Sequence, residues 1–255
     1  MKFNFIIILY IYSPVLLLLS ISILKDRFAR EDKPFRLQSW SLLPGIVVVG
    51  VFVSAFVVQS LWKWIPVLKN FEYNPFNWEI YCVIHACIIF ACISLILRHI
   101  YNLSIVQAFA LKAKYLPFIL KLCAVLTVIN IFGVYILGFS LLPQVQPDQA
   151  AIIKAMGIKY LAIYFFNTVI LDPILEESVF RGLLYGPLYR KVGKWLGIVL
   201  CSLIGTIVHF HYQGILPYVG AFLKGLIAGW LFSRSGSLLH PMIFHMFLNV
   251  WTIPF

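Results

Sequence analysis

The sequence predicts an all-α fold, a polytopic transmembrane helical bundle of about eight spans. Three observations carry this reading. Of 255 residues, 62% are hydrophobic and 11% charged, against roughly 45–50% and about 25% in soluble globular chains. Mean hydropathy is +0.95, and so little polar surface cannot coat a water-soluble particle. The apolar residues also fall in runs of about twenty, the length that crosses a bilayer as a helix. The runs are continuous rather than alternating, which excludes a lipid-embedded barrel. Soluble enzymes, disordered chains and fibrous proteins are excluded by the same composition. The formal charge of +11 then reads as basic cytoplasmic loops, not as a nucleic-acid surface.

The elements follow in order. Residues 3–24 are too long a run for a signal-peptide core and no small-residue cleavage site follows, so they form the first span. Runs at 39–62, 79–97 and 116–142 supply the next three. Between them, 102–114 mixes apolar residues with Gln107, Lys112 and Lys114, the pattern of a short interfacial helix. The last four spans are 160–182, 195–212, 215–233 and 238–255. No repeat and no long linker divides the chain, so residues 1–255 read as one membrane domain. Lys25, Arg27, Arg30, Lys33 and Arg36 share one side with Arg98, Lys112, Lys114, Arg181, Arg190, Lys191, Lys194 and Arg234. Lys2, Lys63, Lys69, Lys154 and Lys159 take the other side. The positive-inside rule makes the richer side cytoplasmic and puts both termini outside. The five cysteines are odd in number and lack zinc-knuckle spacing, so they read as small buried side chains.

A charge inside a bilayer costs at least a few kcal/mol, so each intramembrane ionisable residue needs a reason. The fifth span carries Asp172, Glu176, Glu177 and Arg181; the sixth carries His209 and His211; the eighth carries His245 and Asn249. Adjacent helical residues point about 100° apart, so Glu176 and Glu177 cannot serve one small site equally. Arg181 lies four residues after Glu177, where helix side chains meet. That pair neutralises itself and leaves Glu176 facing the bundle interior as a general base. His245 and Asn249 share a helix face by the same spacing. A carboxylate, two imidazoles and an amide around one water suit hydrolysis, with an oxyanion held by imidazole and amide donors. The same histidines and glutamate would alternatively ligate a zinc that activates the water.

These residues resemble the CPBP family of intramembrane endopeptidases, which includes CAAX prenyl proteases and bacteriocin-processing, Abi-type proteins. The family's Glu-Glu-x-x-x-Arg motif is matched by Glu176, Glu177 and Arg181, followed by Gly182. Its Phe-x-x-x-His motif is matched at His209, with Gly205 where the phenylalanine belongs. Its His-x-x-x-Asn motif is matched by His245 and Asn249. The resemblance covers about 160–250, the expected catalytic core. It implies that Glu176 activates water with His209, that His245 and Asn249 hold the oxyanion, and that Glu177 and Arg181 support the site. It leaves the metal open: no cofactor is required, and zinc on Glu176, His209 and His245 is the alternative. One difficulty accompanies the predicted spans. At about 1.5 Å per residue, Glu176 lies roughly 9 Å from the cytoplasmic face and His209 nearer 20 Å. A deeper start of the sixth helix, or a dip at Gly186-Pro187, would close that gap.

The expected activity is hydrolysis of a peptide bond in a membrane-associated substrate, near the cytoplasmic face. A chain rich in Ile, Phe, Lys and Asn points to a prokaryotic plasma membrane. The expected partners are a membrane-associated peptide or protein and the lipid bilayer, with no nucleic acid. A non-enzymatic immunity or scaffold protein binding a bacteriocin-like peptide is the alternative; a proton-coupled transporter has no broken-helix repeat in its favour. Several residues carry plainer expectations. Asp172 reads as a kink residue beside Pro173 or, four residues before Glu176 on the same face, as a carboxylate that tunes it. His85 reads as packing, and His240 as a solvated interfacial side chain. Lys224 reads equally as cavity lining or as a helix-packing hydrogen bond. Gly225 and Gly229 predict close helix packing.

Overall fold

The computed structural model describes residues 42, 46–50, 75–137, 147–209 and 215–253. Among them every regular element is helical and no strand occurs. The expected first span, most of the second, the first basic loop and His211 lie outside the described residues. In chain order the elements are α1 (Pro75–Tyr101), the short α2 (Ile105–Phe109) and α3 (Leu116–Leu137). Then α4 (Pro147–Phe165), α5 (Asp172–Glu177) and α6 (Tyr185–Val192) are joined by π-helical turns at Phe166–Leu171 and Ser178–Leu184. Last come α7 (Lys194–Ile207), α8 (Ile215–Ser235) and α9 (Leu239–Val250).

Two described helical stretches are long and apolar enough to cross a bilayer, Pro75–His99 and the 43-residue Ala150–Val192. The count of about eight spans goes beyond what the described residues establish. The outer face of α1 argues for lipid. Ile89, Ile93 and Leu97 are buried, while Ile84, Ile88 and Leu95 on the opposite side are more than half exposed. A helix that is apolar on both its packed and its open face belongs in a hydrocarbon solvent.

The fifth span needs correcting. It does not end at 182; the helical path continues to Val192 and turns at Gly193. Gly182, where the predicted span stops, lies within this path and serves packing. A Cβ there would stand 2.6 Å from the ring of Phe109, so the glycine seats α2 against the long helix. The turn itself needs glycine, because Gly193 has φ 83° and its N–H donates to the Tyr189 carbonyl at 2.8 Å. Helix α7 has 14 residues, about 21 Å, short of a 30 Å hydrocarbon core.

Two close approaches set the remaining geometry. A Cβ on Gly225 would stand 2.9 Å from Ser202, and one on Gly229 would stand 2.9 Å from Ile198. The Gly-x-x-x-Gly face of α8 therefore packs on α7, as expected. The interfacial segment holds a five-residue helix with a capping box between Ser104 and Gln107. Its following loop is pinned to the α8–α9 turn, where the Ser237 hydroxyl accepts from Lys112 N and donates to Lys112 O, both at 2.9 Å. That loop also covers His240, which is fully buried and accepts from Tyr115 N at 3.2 Å. His240 is thus a packed side chain, and the expectation of a solvated one is corrected.

Candidate active site

The Gly193 turn explains how Glu176 and His209 meet. Near-equal lengths of helix lead from 176 to 193 and from 193 to 209, so the antiparallel pair returns His209 to the level of Glu176. His209 Nε2 lies 3.5 Å from Glu176 Oε1. The depth difficulty arose from ending the fifth span too early, and the helical path to Val192 removes it. His209 sits just past the end of α7, with Nδ1 donating to the Gly205 carbonyl at 2.7 Å. A carbonyl only accepts, so Nδ1 is the donor to Gly205 and Nε2 is the nitrogen turned toward Glu176.

Gly205 departs from the family's phenylalanine, and the structure supplies a ring from elsewhere. Phe180, one helix away, stands 3.7 Å from where a Gly205 Cβ would be. The apolar wall beside His209 is therefore built by the residue just before Arg181.

The second glutamate behaves as its spacing predicts. Glu177 is fully buried, and its Oε1 meets Arg181 Nη1 at 3.3 Å and His245 Nδ1 at 3.0 Å. Arg181 Nη2 donates to the Gly225 carbonyl at 2.7 Å. The pair thus links the long helix to α8 and α9 and anchors the ring of His245.

Lys224 is the site residue that no sequence motif singled out. It projects from the middle of α8, with Nζ 2.7 Å from His245 Nε2 and 3.5 Å from Glu176 Oε2. His245 Nε2 stands 3.9 Å from the same carboxylate oxygen. The available sequence signal was its depth: a lysine near mid-span is costly without a partner. No local spacing links positions 224 and 245.

Asn249 is placed one turn along α9 from His245, yet its amide is engaged by the backbone. Asn249 Nδ2 donates to the Thr168 carbonyl at 2.8 Å. Pro173 has no N–H, and in a π-helical register the carbonyl left without a donor is the one five residues back, Thr168. Asn249 replaces that missing donor. The two side chains expected to meet an oxyanion are thus both committed here, Asn249 to Thr168 and His245 Nε2 to Lys224.

Glu176, His209, Lys224, Ser202 and Gly205 border a small cavity in which the centre of a water molecule has about 10 Å³ to occupy. That is room for about one water, with a carboxylate, an imidazole and an ammonium as partners. The zinc alternative fits less well. Among the described residues no three of His, Cys, Asp and Glu converge to hold a metal ion. The ammonium of Lys224 also lies against the Nε2 lone pair that a metal would need.

A further buried carboxylate escaped the sequence reading. Glu79 of α1 accepts from Asn167 Nδ2 at 2.8 Å and from the Tyr160 hydroxyl at 3.5 Å. Its partners lie some eighty residues away in sequence, beyond any local pattern.

Among the described residues the helical scaffold brings together the Glu-Glu-Arg, His and His-Asn residues on which the resemblance to membrane-embedded peptidases rests. Residues 158–251 match the family model described as type II CAAX prenyl endopeptidase Rce1-like. An uncharacterized 24.3 kDa protein of Escherichia coli is 32% identical over 116 residues, 45% of this chain and 54% of that protein. A Bacillus subtilis protein named as membrane peptidase YdiL is 30% identical over 84 residues, 33% of each chain. The membrane-embedded CAAX protease MroQ of Staphylococcus aureus is 29% identical over 118 residues, 44% of this chain and 46% of that protein. The matched region spans about half the length of these relatives, or less. No solved structure gives a significant match.

Proposed function

We propose that this protein is a membrane peptidase that cleaves a peptide bond of a membrane-associated substrate, with Glu176 as general base. The observation that carries the reading is the meeting of Glu176 and His209 at 3.5 Å beside a water-sized cavity. A carboxylate in that position takes a proton from water as the water attacks a carbonyl carbon. His209, fixed by Gly205, presents Nε2 to the carboxylate that takes the water's proton. Glu177 and Arg181 hold His245 and the local helix register rather than touching the water. The arrangement supports a mechanism without metal, because Lys224 supplies the positive charge beside Glu176. The family resemblance and the relatives' names favour a membrane-associated peptide or protein as substrate, and the composition rich in Ile, Phe, Lys and Asn favours a prokaryotic plasma membrane.

The test is a mass-spectrometric survey of protein termini in host membranes. Wild type is compared with Glu176→Ala at matched expression. New termini present only with wild type are expected and would reveal the substrate. Identical profiles from two folded proteins would overturn the peptidase reading and favour a binding or immunity role.

A further inference from the structure

We propose that Lys224 is the electrophilic residue of this site: its ammonium fixes the tautomer of His245 and faces the position where negative charge develops on a substrate carbonyl. The second half of this proposal rests on the peptidase reading; the first does not.

The proton assignment follows from which atoms can donate. A lysine ammonium has three donors and no acceptor, and a carboxylate only accepts. Lys224 Nζ stands 2.7 Å from His245 Nε2, so Nε2 accepts. His245 Nδ1 stands 3.0 Å from Glu177 Oε1, so Nδ1 donates. One neutral tautomer satisfies both bonds. A doubly protonated ring would set N–H against ammonium at 2.7 Å, and the opposite tautomer would set a lone pair against the Glu177 carboxylate. Arg181 Nη1 pairs with the same carboxylate oxygen at 3.3 Å. The chain of charges therefore runs Arg181, Glu177, His245, Lys224, Glu176, alternating from end to end around one neutral imidazole.

This order reassigns a role. His245 Nε2 has no proton to give an oxyanion, and Asn249 is held by Thr168. Lys224 keeps donors beyond the one used on His245, and it borders the same cavity as Glu176 and His209. In the step this geometry favours, the water oxygen bonds to the carbonyl carbon while its proton passes to Glu176. The carbonyl π pair moves onto oxygen and meets the Lys224 ammonium. Collapse of the tetrahedral species breaks the C–N bond, and the leaving nitrogen takes the proton back from Glu176. One water is consumed, and carboxyl and amine termini are released. A fixed cation at such an oxygen is worth about 10²–10³ in kcat.

The experiment uses the full chain in detergent micelles with ¹⁵N-labelled histidine, His245 being assigned by its loss in His245→Gln. The expected spectrum shows His245 protonated on Nδ1 with an accepting Nε2. Lys224→Met should shift the Nε2 resonance, and Lys224→Arg should largely restore it. A ring protonated on Nε2 in wild type, or a resonance indifferent to Lys224→Met, overturns the assignment without reference to activity. On a substrate peptide containing the cleavage site found in the terminus survey, Lys224→Met should lower kcat about 100-fold or more with KM within about threefold. Lys224→Arg should recover part of it. Unchanged kcat in Lys224→Met overturns the electrophilic role. A wild type that cleaves nothing would instead defeat the peptidase reading and leave the spectrum to decide the tautomer.

Discussion

Glu79 and Glu176 are both carboxylates buried in an apolar bundle, and their surroundings differ in kind. Glu79 is 6% exposed and meets an amide and a phenol, Asn167 and Tyr160. Glu176 is 8% exposed and meets an ammonium and two imidazoles, with a water-sized cavity beside it. Neutral donors tie one helix to another and offer little means of moving a proton. Charged and titratable partners offset the charge of a carboxylate buried in low dielectric and give a proton somewhere to go. Burial alone therefore does not single out Glu176 as the proposed base; the company it keeps does.

The comparison breaks most sharply at Glu176. Glu176→Gln keeps the shape and removes the base, and processing should fall about 10²–10⁴-fold, read from substrate turnover in membranes. Arg181→Met comes next. It strands the fully buried Glu177 without its cation, and a loss of about 3–5 kcal/mol is expected in detergent unfolding. A stability change under about 1 kcal/mol would show that the charge chain is not coupled. Asn167→Ala should cost less, about 1–3 kcal/mol, because Glu79 keeps the Tyr160 hydroxyl as a donor. The smallest effect is expected for Glu79→Gln. It preserves an acceptor for Asn167, so turnover should stay within about threefold of wild type and stability within about 1 kcal/mol. A large loss of turnover with folding intact would mean that Glu79 belongs to the chemistry after all.

Much of the Glu176 site was legible in the sequence because its logic is local. The four-residue spacing of Glu177 and Arg181 announced their pairing, and the 100° step between neighbours turned Glu176 away from it. What was not legible depends on contacts between distant segments. Lys224 meets His245 across the α8–α9 turn, and Asn249 answers a proline in another helix. The predicted span stopped at Gly182; here that glycine makes room for Phe109, and the helical path runs on to Val192. That single misreading displaced His209 from Glu176 by about 10 Å of helix rise. His240 read as solvated because it adjoins a predicted interface, while the loop that buries it comes from residues 111–115. Glu79 passed unremarked because nothing near it in sequence reveals a partner.

The most direct measurement compares Glu176→Gln and Glu79→Gln in the same membranes, at matched folded amounts, by the rate at which the wild-type-dependent termini appear. The account predicts that Glu176→Gln abolishes those termini while Glu79→Gln produces them at nearly the wild-type rate. Termini that persist in Glu176→Gln, or that vanish equally in both variants, would contradict it.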